Sequence, residues 1–184
     1  GSALVGFVRV CLTLVCVVSG VVGACTPEPV TPWRVYRRRA FEGKCHGTPC
    51  GHQRARIAIT WNLTLHDRAS LGDRANAYSL GEIEIGPRAI VAQEVYLSSG
   101  SHDFSHPACP LVVAKITIEE EAFLGARTFV MPGVTIGART IVGACSVVTK
   151  DLPNDVVAAG NPCGVLRPRS PLWTLRSAER GGCN

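Results

Sequence analysis

The stretch from Ile118 to Val148, IEEEAFLGARTFVMPGVTIGARTIVGACSVV, places an aliphatic residue at every sixth position: Ile118, Leu124, Val130, Ile136, Val142 and Val148. At a frequency of roughly one in four per position, six in register arise by chance about once in 4000. A helix repeats every 3.6 residues and a strand every two, so this spacing marks neither alone. It marks a chain that runs a short strand, turns a corner and repeats, sending one aliphatic per side into the axis of a triangular prism. Three such steps close a coil of about 18 residues. Stacked coils pair their backbones with one another and bury a continuous aliphatic column.

Working outward, Ile85, Val91 and Leu97 form a second run, and Ile59, Leu65, Leu71 and Ala77 a third. The frame slips by two residues between Ala77 and Ile85, and again across the 21 residues from Leu97 to Ile118. Gly72, Gly86, Gly125, Gly137 and Gly143 each follow a repeat aliphatic directly, which predicts corners needing positive φ or close backbone approach. A β-sandwich would instead show alternation broken by turns every 8 to 12 residues or so. Aromatics are 6% of the chain, as a narrow prism interior requires.

The 184 residues suffice for one domain with a short appendage, which excludes a multidomain enzyme. With 46% apolar and 18% charged residues the chain is not disordered as a whole, and a net charge of +5 is too weak to imply nucleic acid. Nine cysteines at irregular spacing read as reduced, mostly small apolar side chains rather than a disulfide framework. Cys45, His46, Cys50 and His52 gather soft ligands within a short run, but no second pair follows at finger spacing, so the run reads as an ordinary loop.

From Ala3 to Cys25 the only charge is Arg9, and Val10 to Cys25 is apolar for 16 residues. A spanning helix needs about 20. Three readings stay open: a bilayer-associated or short spanning helix, a secretory signal ending near Val22-Gly23-Ala24-Cys25, and a helix lying on the soluble domain. Arg34, Arg37, Arg38 and Arg39 suit either an anionic leaflet or a solvated basic face. Pro27, Pro29 and Pro32 form a linker, with a boundary near residue 30.

Ile83-Glu84-Ile85-Gly86, Ser99-Gly100-Ser101-His102-Asp103, Val130 to Gly137, Val147-Val148-Thr149-Lys150-Asp151 and Gly160-Asn161-Pro162 together resemble the hexapeptide-repeat acetyltransferases. Within these they resemble the colanic acid biosynthesis acetyltransferase-like branch. The resemblance is strong over residues 54–167 and extends weakly to the N-terminus, through Thr60-Trp61-Asn62-Leu63 and the apolar lead-in. It implies an all-β protein, a left-handed parallel β-helix of hexapeptide repeats preceded by an apolar N-terminal helix. The chain then divides into the helix and linker (1–30), a basic lead-in (31–53), the β-helix (54–167) and a tail (168–184).

The same resemblance implies a homotrimer that moves acetyl from acetyl-CoA to the hydroxyl of a sugar or glycan acceptor in exopolysaccharide biosynthesis. It favours the helix reading of residues 3–25 over a secretory signal. A cytosolic co-substrate places the protein in the bacterial cytoplasm, with residues 3–25 touching the inner face of the plasma membrane. No metal is required.

The repeat fails between Leu97 and Ile118, where a polar, turn-rich loop interrupts a rigid scaffold. Attack of a hydroxyl on a thioester needs a base, and a neutral imidazole suits it. His102 stands in that loop and at the resembled family's catalytic position. Asp103 is a candidate to orient the imidazole or hold the acceptor, and His106 reads as a loop residue. Ser79, where relatives carry Asn or Asp, and Asn76 are the other acceptor candidates. The resemblance assigns acetyl-CoA to Ala126, Ala144, Thr149, Lys150 and Arg167. Many relatives have Arg where Gly164 stands, leaving Arg169 as a substitute phosphate partner. Two rival functions remain: a γ-type carbonic anhydrase using His66, His102 and His106, whose loop pair is spaced four rather than five apart, and a non-catalytic β-helix scaffold.

Overall fold

The computed structural model describes residues 44–52 and 54–170. The segments expected to form the N-terminal helix and linker, the basic run and most of the tail lie outside the described residues. Among those described, no helix is long and apolar enough to cross a membrane.

The chain winds through successive three-strand coils. The first holds β1 (Lys44–Cys45), β2 (Cys50–Gly51) and β3 (Arg56–Ile57). The second holds β4 (Leu63–Leu65), β5 (Ser70–Leu71) and β6 (Asn76–Tyr78), and the third β7 (Ile83–Ile85), β8 (Ile90–Val91) and β9 (Tyr96–Ser98). A hairpin of β10 (Gly100–His102) and β11 (Leu111–Val113) then leaves the body. Winding resumes with β12 (Ile116–Ile118), β13 (Phe123–Leu124) and β14 (Phe129–Val130), then β15 (Thr135–Ile136), β16 (Ile141–Val142) and β17 (Val147–Val148). A last partial coil bridges Leu152 to Ile136 and ends in the antiparallel pair β18 (Val156–Gly160) and β19 (Cys163–Pro168).

Three faces result. Face A stacks β1-β4-β7-β12-β15, face B β2-β5-β8-β13-β16-β18-β19, and face C β3-β6-β9-β14-β17. Apart from β18–β19 the pairings within the faces are parallel. The parallel β-helix expected from the six-residue period is the fold. Ile118, Leu124, Val130, Ile136, Val142 and Val148 are all fully buried. Register stacks Ile136, Val142 and Val148 over Ile118, Leu124 and Val130, these over Ile85, Val91 and Leu97, and these over Leu65, Leu71 and Ala77.

Three expectations are corrected. The first coil begins at Lys44, so the β-helix starts before residue 54, and the run from Cys45 to His52 is no ordinary loop but a corner of that coil, with Cys45 in β1 and Cys50 in β2. The described cysteines Cys45, Cys50, Cys109, Cys145 and Cys163 are free, as the reduced reading expects; Cys45 packs against the core, while Cys50, Cys109 and Cys145 are exposed. The third run enters at Ile57, not Ile59: Ile57 pairs with Ala77, whereas Ile59 precedes a 3-10 turn over Thr60–Asn62. That turn inserts two residues at the same corner where the frame slips after Ala77, so Ile59 falls six before Leu65 by coincidence.

The corner glycines divide the expected roles differently. A Cβ on Gly125 would lie 2.6 Å from the Ala144 nitrogen, and one on Gly72 2.5 Å from the Ala92 carbonyl carbon. They serve close approach. Positive φ falls instead three residues beyond many of the buried aliphatics, on Arg68, Arg74, Arg88, Glu94, Glu121, Arg127, Arg139, Cys145 and Asp155, and on Gly133 after Val130. This left-handed geometry turns the backbone N–H toward the preceding coil, as in Arg88 to the Asp67 carbonyl at 2.9 Å and Arg127 to that of Gln93 at 3.1 Å. The satisfied bond offsets the steric penalty. Their long side chains then pair across coils, Arg139 with Asp155 at 2.6 Å, Arg88 with Glu121 at 2.7 Å, and both Arg74 and Arg127 with Glu94. Exposed pairs of this kind contribute little singly.

Candidate active site

The hairpin leaves the prism at the corner between faces C and A, where a buried polar cluster ties three coils. Ser99 Oγ donates to the Tyr78 carbonyl at 2.9 Å and accepts from Gly81 N at 2.9 Å. Asn62 Nδ2 donates to the carbonyls of Ser79 at 3.0 Å and Leu80 at 2.8 Å. Gly81 and Gly100 let the hairpin seat closely, since a Cβ on Gly100 would meet Leu80 Cδ1 at 2.7 Å. The loop therefore rises from a rigid base.

His102 ends β10 and is exposed. Its Nδ1 lies 2.8 Å from the Cys109 carbonyl oxygen. A carbonyl only accepts, so in the neutral ring Nδ1 carries the proton and the Nε2 lone pair is free. Cys109 holds φ +43 and its N–H donates to the His106 carbonyl at 2.9 Å, a tight turn that aims its own carbonyl at the imidazole. Sequence reasoning missed this partner, because a backbone carbonyl seven residues away leaves no side-chain signal.

Asp103 does not take that role. Its Oδ1 accepts from Ser105 N at 2.9 Å and Ser105 Oγ at 2.6 Å, and these bonds hold its carboxyl below the usual range. Ser79 is fully buried, with Oγ donating to the Ile59 carbonyl at 2.8 Å and accepting from Ile59 N at 2.9 Å. It stitches that corner to the coil below. Asn76 stands at an outward position of face C, opposite Tyr96.

Ala126 and Ala144 stack one coil apart at the corner between faces B and C, the Ala126 carbonyl accepting from Cys145 N at 2.9 Å. Thr149 and Lys150 are exposed at the opposite edge of face C, and Arg167 is exposed on β19. One chain thus distributes these residues over separate edges rather than collecting them in one place. Arg169 is committed elsewhere, its Nη1 donating to the Arg139 carbonyl at 2.5 Å. At Gly164 an added Cβ would meet nothing within 4 Å.

His66 lies on face A, where its Nε2 meets Glu84 Oε1 at 2.9 Å, while His102 and His106 are in the hairpin. Among the described residues no three His, Cys, Asp or Glu side chains converge as a metal site would need. Glu84 also accepts from Lys115 Nζ at 2.7 Å. The Lys115 bond first, then that of His66, lowers the Glu84 carboxyl from its ordinary value, and Glu84 raises the Lys115 ammonium. A depressed carboxyl contributes stability that is full above the unfolded value of about 4.3 and is lost as pH falls through the folded one. The Lys115 contribution is full below about pH 10.4 and is lost as pH rises through its raised value. Melting temperature is therefore expected to fall more steeply on acidification below about pH 4 in the unaltered chain than in Glu84→Gln. Parallel acid limbs for the two would remove Glu84 from the acid dependence.

A prism of six-residue steps, interrupted by one imidazole-bearing hairpin, has the architecture of a hexapeptide transferase. The family model "Bacterial transferase hexapeptide (six repeats)" matches residues 115–150. The protein named "Putative colanic acid biosynthesis acetyltransferase WcaF" of Escherichia coli (strain K12) is 40% identical over 152 residues, covering 83% of this chain and 84% of its own length. The galactoside O-acetyltransferase of the same strain is 40% identical over 88 residues, 46% of this chain and 43% of its own. The crystal structure of a maltose O-acetyltransferase from Clostridium difficile 630 matches with a TM-score of 0.75 at 25% identity, over 89% of each chain. That of a hexapeptide-repeat acetyltransferase from Vibrio cholerae matches with 0.78 at 22%, over 88% of this chain and 92% of the other. The chain belongs to the hexapeptide-repeat acetyltransferases.

Proposed function

We propose that the protein transfers acetyl from acetyl-CoA to a sugar hydroxyl in exopolysaccharide biosynthesis, with His102 as general base. The observation that carries the reading is the Nδ1 contact to the Cys109 carbonyl, which leaves Nε2 as the acceptor a hydroxyl needs. Nε2 takes the hydroxyl proton as the sugar oxygen bonds to the thioester carbonyl carbon. When the carbon–sulfur bond breaks, His102 returns that proton to the departing thiolate. Ala126 and Ala144 offer a small-residue corner beside which a pantetheine arm fits, while Thr149, Lys150 and Arg167 supply exposed donors for phosphates. Asn76 is the acceptor-side partner. Acetyl-CoA is a cytosolic metabolite, which supports a cytoplasmic location.

A homotrimer would close this distributed site. Its halves flank face C, with Ala126 and Ala144 at the edge shared with face B, and Thr149, Lys150 and the His102 hairpin at the edge shared with face A. A threefold that packs face C inward sets the first edge of one copy beside the second edge of the next. Phe104, 81% exposed on the hairpin, adds apolar surface for such a contact. Light scattering should return three times the chain mass; a fully active monomer would contradict the arrangement.

The test is thiol release from acetyl-CoA against a panel of nucleotide sugars and oligosaccharides, with background hydrolysis subtracted. Acceptor-dependent release is expected. Failure to bind acetyl-CoA at all would favour the scaffold reading. Gly164→Arg is expected to lower KM for acetyl-CoA by about tenfold without altering kcat, because the position is open and a guanidinium there gains a charge-assisted phosphate bond. An unchanged KM would separate β19 from the nucleotide.

A further inference from the structure

Face B turns one line of side chains outward, and its chemistry changes partway up. Cys50 and Ser70 occupy the two lower rungs, and Ile90, Phe123, Ile141 and Val157 the four above, each paired with the next across the ladder. Ile90 is 46% and Phe123 39% exposed, and Ile141 and Val157 are half-buried. The strip is one side chain wide, because the two-residue strands β8, β13 and β16 each send their second residue into the core.

The described residues end beside this strip. β19 runs back along face B from Cys163 to Pro168, antiparallel to β18, and returns the backbone to the corner between faces A and B. There Arg169 N donates to the Asp155 carbonyl at 2.7 Å and Arg169 Nη1 to the Arg139 carbonyl at 2.5 Å. Asp155 precedes β18 and Arg139 precedes β16, so residue 169 is tied to two successive rungs in descending order, toward Phe123 and Ile90. Ser170 is exposed, and the sequence continues Pro171-Leu172-Trp173-Thr174-Leu175-Arg176.

We infer that residues 171–176 fold down over face B as a strap, with Leu172, Trp173 and Leu175 closing the column of Ile90, Phe123, Ile141 and Val157. The reach fits. Three rung spacings separate Val157 from Ile90, roughly 14 Å, and the five steps from Ser170 to Leu175 extend at most about 17 Å. In an extended segment Trp173 and Leu175 project to the same side. Charge fits as well. From Arg88 upward the corner between faces A and B holds the four carboxylates of Glu119, Glu120, Glu121 and Asp155 against the three guanidiniums of Arg88, Arg139 and Arg169. Arg176, directly after Leu175, supplies a fourth.

A second copy and the N-terminal apolar run are the competing occupants. A standard interface takes roughly 800 Å² from each partner. Four side chains in single file fall short of that, whereas one extended chain matches a strip of this width. Residues 3–25 join the described chain at Lys44, which opens β1 on face A of the first coil, at the other end of the stack from Val157. The tail starts at the near end, where apolar side chains on both sides leave water together. The strap is independent of the chemistry at the hairpin.

The test uses the full chain. With Trp173→p-benzoyl-phenylalanine, irradiation should cross-link position 173 to the tryptic peptides 116–127 or 140–150, which carry Phe123 and Ile141. Mixing isotope-labelled and unlabelled chains separates a link within one chain from a link between copies. Trypsin cleavage after Arg176, read by mass spectrometry, gives a second measurement. Trp173→Ser and Phe123→Ser should each speed it about tenfold, and the double variant by no more than either alone, as two sides of one contact require. Trp173→Ser lies outside the coils, so it reports even where Phe123→Ser lowers the melting temperature. Links only between copies would make the face an interface between chains and overturn the strap. So would links confined to faces A or C, no link at all, or cleavage at the same rate in every variant as in the unaltered chain.

Discussion

His102→Ala is expected to lower acceptor-dependent acetyl transfer by about 100-fold or more, with acetyl-CoA binding held within about twofold. The size follows from what the residue alone supplies: a lone pair at Nε2, kept free because the Nδ1 proton is tied to the Cys109 carbonyl. Alanine leaves no group in the hairpin to accept the hydroxyl proton at that place. Asp103→Asn makes the contrast, with an expected change under about threefold, because the Asp103 carboxylate bonds Ser105 and not the imidazole. Steady-state thiol release with both substrates varied measures each. Comparable losses in the two variants would mean that the loop acts as a unit and that His102 is not the base.

Gly125→Val should destabilise the fold by about 3 kcal/mol or more, the upper part of the range for overpacking. Its Cβ would stand 2.6 Å from the Ala144 nitrogen and 2.9 Å from the Val142 carbonyl oxygen, which are backbone atoms of the next coil and have no rotamer to yield. The Gly125 N–H donates to that same Val142 carbonyl at 2.8 Å, so relief by separation would break a ladder bond. Gly164→Ala, in open space on β19, should stay within about 0.5 kcal/mol. Urea denaturation of both variants reads the difference, and equal midpoints would show that the coils can part at that corner without loss.

The contrast between these glycines shows what a one-dimensional reading reaches. The period of six located the core: a short strand with a fixed corner has only one inward direction per step, and six of six aliphatics between Ile118 and Val148 occupy it. The period failed at Ile59, because two insertions at one corner imitate an unbroken frame. It also missed Ala69, Ala75, Ala89 and Ala122, buried four residues beyond the aliphatics where the corners narrow. Small residues carry no distinctive signal. Thr128 and Ser146 occupy the same place with their hydroxyls donating to the carbonyls of Gly125 and Gly143, both at 2.7 Å, so their polarity concealed their burial.

In the site, the break in the repeat and its histidine were legible, since departure from a strict period is visible residue by residue. Ser79 and Asp103 were not. Both have a polar side chain near the loop, and only the structure reveals the bonds to Ile59 and Ser105 that hold them.

The prism, its inward column and the loop that interrupts it are legible in the order of residues, because each follows from spacing along the chain and spacing is what a sequence records. The tertiary structure alone decided which atom orients His102, which corner residues take positive φ, and which outward side chains line up on face B. Those depend on residues that are brought together by coil stacking and hairpin closure, at separations that no local pattern of side chains encodes.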